Sequence, residues 1–175
     1  MRTYRRMWIP GGCYFFTVNL AERHNITLLI DYVDSLRDAF RSVCKLYPFT
    51  MDAVVVMPDH LHCIWRLPEG DDQFDVRWRR IKSIFSRAVV NGEFVTDSRR
   101  KKNERGIWQR RYWEHAIRDE ADWRNHVDYI HYNPVKHGYV IRAIDWPHSS
   151  FHRYLKKGIY ANDWTLPNEQ ELIRE

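Results

Sequence analysis

The chain has 175 residues, the size of one domain, with 28 Lys and Arg against 23 Asp and Glu and a formal net charge of +5. Its 44% apolar and 15% aromatic residues can build a core, which excludes global disorder, and seven Gly and seven Pro exclude a linker-dominated chain. No apolar run approaches the about 18 residues that cross a bilayer, and the basic start MRTYRRMWIPGG lacks a signal-peptide stretch. Cys13, Cys44 and Cys63 are too scattered for a disulfide framework or a CxxC zinc site, so a reducing cytoplasm is the expected location.

In chain order, YFFTVNL (14–20) follows a Gly-Gly turn and reads as a buried strand. Val33, Leu36, Ala39, Phe40 and Val43 recur at helical spacing within 31–46, and Pro48 closes that helix. TMDAVVVM (50–57) and LHCIWRL (61–67) read as a hairpin turned at Pro58-Asp59. A helix over 76–90 carries Ile81, Phe85, Ala88 and Val89 on one stripe with Arg and Lys opposite, and Asn91-Gly92 ends it. Residues 92–107 read as a basic loop. YWEHAI (112–117) reads as a fourth strand, and residues 120–132 as a helix stopped by Asn133-Pro134. The order β-α-β-β-α-β and then α predicts a single α+β domain, a ferredoxin-like antiparallel sheet with helices packed on one face. That domain is expected over 1–154, with 155–175 as a C-terminal tail.

The charge is unevenly spread. Residues 1–76 and 112–175 each carry 8 basic and 10 acidic side chains, whereas residues 77–111 carry 12 and 3, a net of +9. A concentrated basic segment interleaved with Trp78, Phe85, Trp108, Tyr112 and Trp113 suits a phosphate backbone with unpaired bases. A solvated helix face followed by a basic loop is the plain alternative.

His60 and His62 flank Leu61 in PDHLH. On a strand, positions i and i+2 share a face, so both imidazoles leave one side about 7 Å apart at Cα, with Leu61 anchored behind. Such a pair can share a divalent ion and leave it open positions. Two histidines on a solvated sheet face are the alternative. In HVDYIHYNPVKHG (126–138), Tyr129 and Asn133 are four apart and share a helical face, placing a phenol beside a carboxamide that can serve as a third ligand. A free phenol has a pKa near 10 and is a poor nucleophile at pH 7, so it needs a site that offsets developing negative charge. Tyr132 is the rival nucleophile, with Tyr112 and Tyr139 weaker. Cys63 should point away from the histidines, which sets aside a zinc hydrolase built on His60, His62 and Cys63.

Together YRRMWIPGGCYFFTVNL (4–20), VVMPDHLHCIWRLPEGDD (55–72), IWQRRYWEHAIRDEADWRNHVDYIHYNPVKHG (107–138) and DWPHSSFHRY (145–154) resemble the REP-associated tyrosine transposases, single-tyrosine members of the histidine-hydrophobe-histidine nucleases. The resemblance implies a metal-dependent single-stranded DNA endonuclease and strand transferase. It would act on palindromic hairpins from repetitive extragenic sequences through a 5′-phosphotyrosine intermediate. By motif position it implies Tyr129 as nucleophile and His60 and His62 as ligands of Mg²⁺ or Mn²⁺. Asn133 falls where related enzymes place an amide ligand, often a longer Gln. Arg5, Arg6 and Trp8, and from the basic segment Arg77, Arg79, Arg80, Lys82, Arg110 and Arg111, are the expected DNA contacts. A monomer without membrane association is expected, with a dimer as the alternative. The rival function is a non-catalytic single-stranded nucleic-acid-binding module of RRM-like topology, which requires exposed aromatics on the sheet face that carries the histidines.

Overall fold

Gly12 N donates to Ile9 O at 2.9 Å across a turn in which Gly11 adopts φ +69, a conformation favouring a residue without Cβ. That turn launches the first strand of the computed structural model, which describes residues 6–24, 26–90 and 106–166. The elements are β1 (Cys13–Asn19), a short α1 (Leu28–Asp31), α2 (Val33–Leu46), β2 (Thr50–Val56), β3 (His60–Arg66), α3 (Phe74–Ala88), β4 (Trp113–Ala116), α4 (Glu120–Lys136), a 3₁₀ turn (Ala143–Asp145) and α5 (Phe151–Lys156). The strands form one antiparallel sheet in the order β2-β3-β1-β4. This is the expected α+β, ferredoxin-like arrangement.

Alternation along the strands divides the side chains between two cores. Tyr14, Phe16 and Val18 of β1 and Leu61, Cys63 and Trp65 of β3 face α2 and α3, which contribute Leu36, Ala39, Val43, Trp78, Ile81 and Phe85. The aromatic centre of that layer is tight, with Trp65 stacked on Trp78 at 4.4 Å between ring centroids. Each large apolar side chain buried in this way contributes roughly 1.5–3 kcal/mol. Phe15, Ala53, Val55 and Ile64 point the other way, against Val127, Tyr129 and Ile130 of α4. The expectation of helices on one face therefore holds for α2 and α3 but not for α4, which covers the opposite face. The odd-numbered β1 position Phe15 and the β2 positions Ala53 and Val55 give that face its own apolar surface.

Two further departures concern helix limits. The helix expected from Asp31 is divided, with Asp31 closing α1 and Val33 opening α2. More consequentially, Pro134 does not stop α4, which runs on to Lys136 with the proline inside it. His137 N donates to Asn133 O at 3.0 Å, Gly138 N to Val135 O at 2.9 Å and Tyr139 N to Pro134 O at 3.0 Å. Gly138 has φ +71. This is the paired bonding of a glycine C-terminal stop, so Gly138 ends the helix and Pro134 only removes one donor. Asn133 through Lys136 thus stay in helical register with Tyr129.

Beyond α5, Tyr160 and Trp164 of the expected tail fold back. Tyr160 Oη donates to Asp128 Oδ1 at 2.6 Å, lies 3.0 Å from His131 Nδ1, and packs on Trp164 at 4.6 Å. The helix end at Asn91-Gly92, the basic loop over 92–105, Arg5 and residues 167–175 lie outside the described residues.

Candidate active site

His60 and His62 emerge from one face of β3 while Leu61 between them is buried in the opposite core. Both are enclosed, at 3% and 0% exposure, because α4 lies over them. Their rings are 4.9 Å apart at the centroids and nearly perpendicular. Each Nδ1 is engaged from the side: His60 Nδ1 lies 2.6 Å from Asp59 Oδ1, and His62 Nδ1 lies 2.9 Å from Thr17 Oγ1. Such partners fix ring orientation, so a shared ligand would be reached through Nε2. Arg23 Nε grips the other Asp59 oxygen at 2.6 Å. Burial alone would raise the Asp59 carboxyl, yet its bonds to His60 and Arg23 outweigh it and hold the group well below the carboxylate range. Burial, reinforced by His60 and Lys136, pushes His62 well below its ordinary value and keeps it in the neutral form that ligates metals.

Tyr129 meets this pair from α4. Its ring lies edge-on to His62 at 5.2 Å and to Phe15 at 6.0 Å, and the residue is 1% exposed. Lys136, seven residues on, donates from Nζ to Tyr129 Oη at 3.2 Å and sits 4.7 Å from the ring centroid. His137 closes the far side, 5.4 Å from the His60 ring. Asn133, one helical turn past Tyr129, is fully buried, and neither atom of its carboxamide has a hydrogen-bond partner among the described residues. A buried amide in that condition costs roughly 1–3 kcal/mol, and an amide oxygen and two imidazoles are donor types that could hold a divalent cation. Three of the sequence-derived residues, Tyr129, His60 and His62, come together, Asn133 lies one helical turn from Tyr129, and Cys63 points away as expected.

A second polar cluster lies two strands away. His115 Nε2 is 2.9 Å from Asp122 Oδ2, and His126 Nδ1 is 3.1 Å from Asp122 Oδ1 and 2.7 Å from the Asp122 carbonyl. The donor atoms of these three residues lie within 4.8 Å of one another, close enough to share an ion. Arg118 also donates to Asp122 from its backbone N and its Nε. Burial would raise the Asp122 carboxyl, but these bonds hold it down at about 2. The cluster ties β4 to the first turn of α4 and so fixes the start of the tyrosine helix.

Residues 13–133 match the family of IS200-like transposases. The chain is 49% identical over 164 residues to the REP-associated tyrosine transposase of Escherichia coli strain K12, covering 94% of this chain and 91% of that one. The chain belongs to this transposase family. A Haemophilus influenzae protein provisionally assigned to the same group is 47% identical over 165 residues, covering 94% of this chain and 93% of its own. A solved REP-associated tyrosine transposase bound to a REP hairpin superimposes with a TM-score of 0.83 at 45% identity, spanning 100% of this chain and 99% of that one. An IS200-like transposase is an enzyme, and the sheet face carrying its histidines is covered by α4. It is not the open stacking surface that an RRM-like binding module needs.

The DNA contacts expected of this transposase fare unequally. Arg77 is a correction, because it is 0% exposed. Its guanidinium donates to the carbonyls of Tyr47, Pro48 and Gln73 and to both Asp71 oxygens, so it staples the α3 N-terminus to the loop before β2. Lys82 turns inward to Gln109 O at 3.0 Å, and burial together with Arg6 lowers its pKa to about 8. Arg79 and Arg80 are exposed but lie on α3, across the sheet from the histidines. Trp8 is 45% exposed and stacks on Phe74 at 4.5 Å. Arg6 pairs with Glu114 at 3.1 Å, and Arg110 and Arg111 are exposed. Sequence reasoning missed Thr17, Asp59, Lys136 and the Asp122–His126 pair. Asp59 and the i, i+4 spacing of Asp122 and His126 were visible signals. Thr17 needed strand register, and Lys136 needed a helix that survives its proline.

Proposed function

We propose that this transposase cuts and rejoins single-stranded DNA at palindromic hairpins through a 5′-phosphotyrosine on Tyr129. His60, His62 and the Asn133 amide would hold a divalent ion, Mg²⁺ or Mn²⁺. The observation that carries the reading is the contact of the Tyr129 phenol with both the His62 ring and the Lys136 ammonium, on a helix whose buried Asn133 amide has no hydrogen-bond partner among the described residues. The hairpin bound to the solved relative supports the substrate class.

Tyr129 Oη attacks the scissile phosphorus as its proton passes to solvent, the P–O3′ bond breaks, and the leaving 3′ oxygen takes a proton from solvent in return, so the strand departs as a free 3′-OH. Attack by a 3′-OH on the same phosphorus reverses the step, so bond energy is retained and no nucleotide cofactor is consumed. Lys136 supplies a positive charge at the phenol oxygen, where negative charge develops. Packing against His62 and Phe15 fixes the ring and aims Oη. The bound ion would polarise the phosphate oxygens. The test is cleavage of labelled hairpin oligonucleotides with and without Mg²⁺ or Mn²⁺, by the wild type and by a His60→Ala, His62→Ala variant. Cleavage should require the ion and vanish in the variant; chelator-resistant cleavage, or cleavage by the variant, would sink the reading.

A further inference from the structure

Among the described residues, His115 on β4 and Asp122 and His126 on α4 bring three metal-ligating side chains together away from the His60–His62 pair. Asp122 and His126 are four apart and share one face of the helix, and that face meets His115 across the sheet. Strand register sets His115 opposite Phe15, on the sheet face that also carries His62.

The group is enclosed, with one way in. Asp122 and His126 are 8% and 4% exposed, whereas the His115 side chain keeps 26% of its surface in solvent. Two imidazoles and one carboxylate suit Zn²⁺, while Mg²⁺ prefers an all-oxygen shell. Three protein ligands leave a fourth tetrahedral position, and the open side of His115 gives water access to it. Burial lowers the pKa of His126 and keeps its ring in the neutral form that ligates.

Two kinds of contact must be exchanged as an ion enters. Arg118 Nε donates to Asp122 at 3.2 Å, but its side chain is 75% exposed and can swing into solvent. His126 Nδ1 faces the Asp122 carbonyl at 2.7 Å, so it carries the ring hydrogen, and His115 Nε2 points at the Asp122 carboxylate at 2.9 Å. On ligation each ring moves that hydrogen to its other nitrogen, a shift that releases no proton from a neutral imidazole.

We propose that His115, Asp122 and His126 form a second metal site, which takes Zn²⁺ and clamps β4 to the first turns of α4. The Phe15 ring lies between this site and the tyrosine, 4.7 Å from His126, 5.5 Å from His62 and 6.0 Å from Tyr129. His126 precedes Tyr129 by three residues, less than one helical turn. The ion thus steadies the helix that carries the tyrosine and takes no part in the chemistry. The assignment does not depend on the DNA-cleaving function proposed above.

The experiment measures metal binding in a His60→Ala, His62→Ala variant, which lacks the other imidazole pair. Calorimetric titration with Zn²⁺ is combined with the visible absorption of Co²⁺ as a substitute ion. The variant should bind one Zn²⁺ per chain, show the intense bands of four-coordinate Co²⁺, and melt higher with Zn²⁺ but not with Mg²⁺. Adding His115→Ala should weaken Zn²⁺ binding by more than about 100-fold, beyond the 10- to 100-fold that loss of a merely orienting partner brings. Adding Arg118→Gln should instead tighten it, because the carboxylate loses a competing cation; a purely structural ion-pair network predicts no gain. If the multiple variants do not fold, His115→Ala alone should lower the number of Zn²⁺ bound by the wild type by one. No Zn²⁺ bound by a folded double variant, or Zn²⁺ binding unchanged by His115→Ala, overturns the site.

Discussion

Replacing Thr17 by valine exchanges a hydroxyl for a methyl of nearly the same size, so it opens no cavity and isolates one interaction. Thr17 is 5% exposed and its Oγ1 lies 2.9 Å from Nδ1 of the fully buried His62. Losing that partner in a dry environment should cost about 1–3 kcal/mol of stability, the penalty for a buried polar atom deprived of its bond. Each kcal/mol lowers the melting temperature by roughly 2–4 °C in a chain of this size. The larger effect should be on ligation, because an imidazole freed from its orienting partner typically loses 10- to 100-fold in metal affinity. Thermal unfolding followed by calorimetric titration with Mn²⁺ measures both quantities on the same preparation. A variant that melts lower yet binds Mn²⁺ with wild-type affinity would refute the assignment of Thr17 as the orienting partner and of His62 as a ligand.

Two further substitutions separate folding from function. Asn133→Leu removes two buried polar atoms that lack partners among the described residues, so it should raise the melting temperature while abolishing metal-dependent cleavage; a lower melting temperature with cleavage retained would contradict the site. Asp122, held at about 2 by Arg118 and His115, is a carboxyl whose pKa falls on folding. Its contribution is complete above about pH 4 and lost as pH falls toward about 2, because the unfolded chain then binds the proton first. Asp122→Asn should therefore lower stability at neutral pH and flatten the acid limb of the unfolding profile over that window. An unchanged limb would show that the cluster does not pin α4.

The strands were legible because YFFTVNL and LHCIWRL are β-branched and aromatic runs bounded by turn residues, and period 2 put His60 and His62 on one face of theirs. That Tyr129 on its helix meets that face was implied by the family resemblance, since spacing within an element does not say which elements touch. Pro134 misled because a proline at this point forfeits only one donor, and the glycine stop four residues later decides where α4 ends. Arg77 misled because charge density does not reveal burial. Its neighbours Arg79 and Arg80 are exposed, and only the contacts of α3 with the loop before β2 turn Arg77 inward. The role of Thr17 depends on which strands pair, information that local spacing does not contain.

The central claim is the covalent bond at one phenol oxygen. Wild-type protein incubated with a cleavable hairpin and Mn²⁺, digested and mapped by mass spectrometry, should yield a nucleotide-bearing peptide modified at Tyr129, and Tyr129→Phe should yield none while still binding the hairpin. An adduct on Tyr132, or one that persists in Tyr129→Phe, would contradict the account.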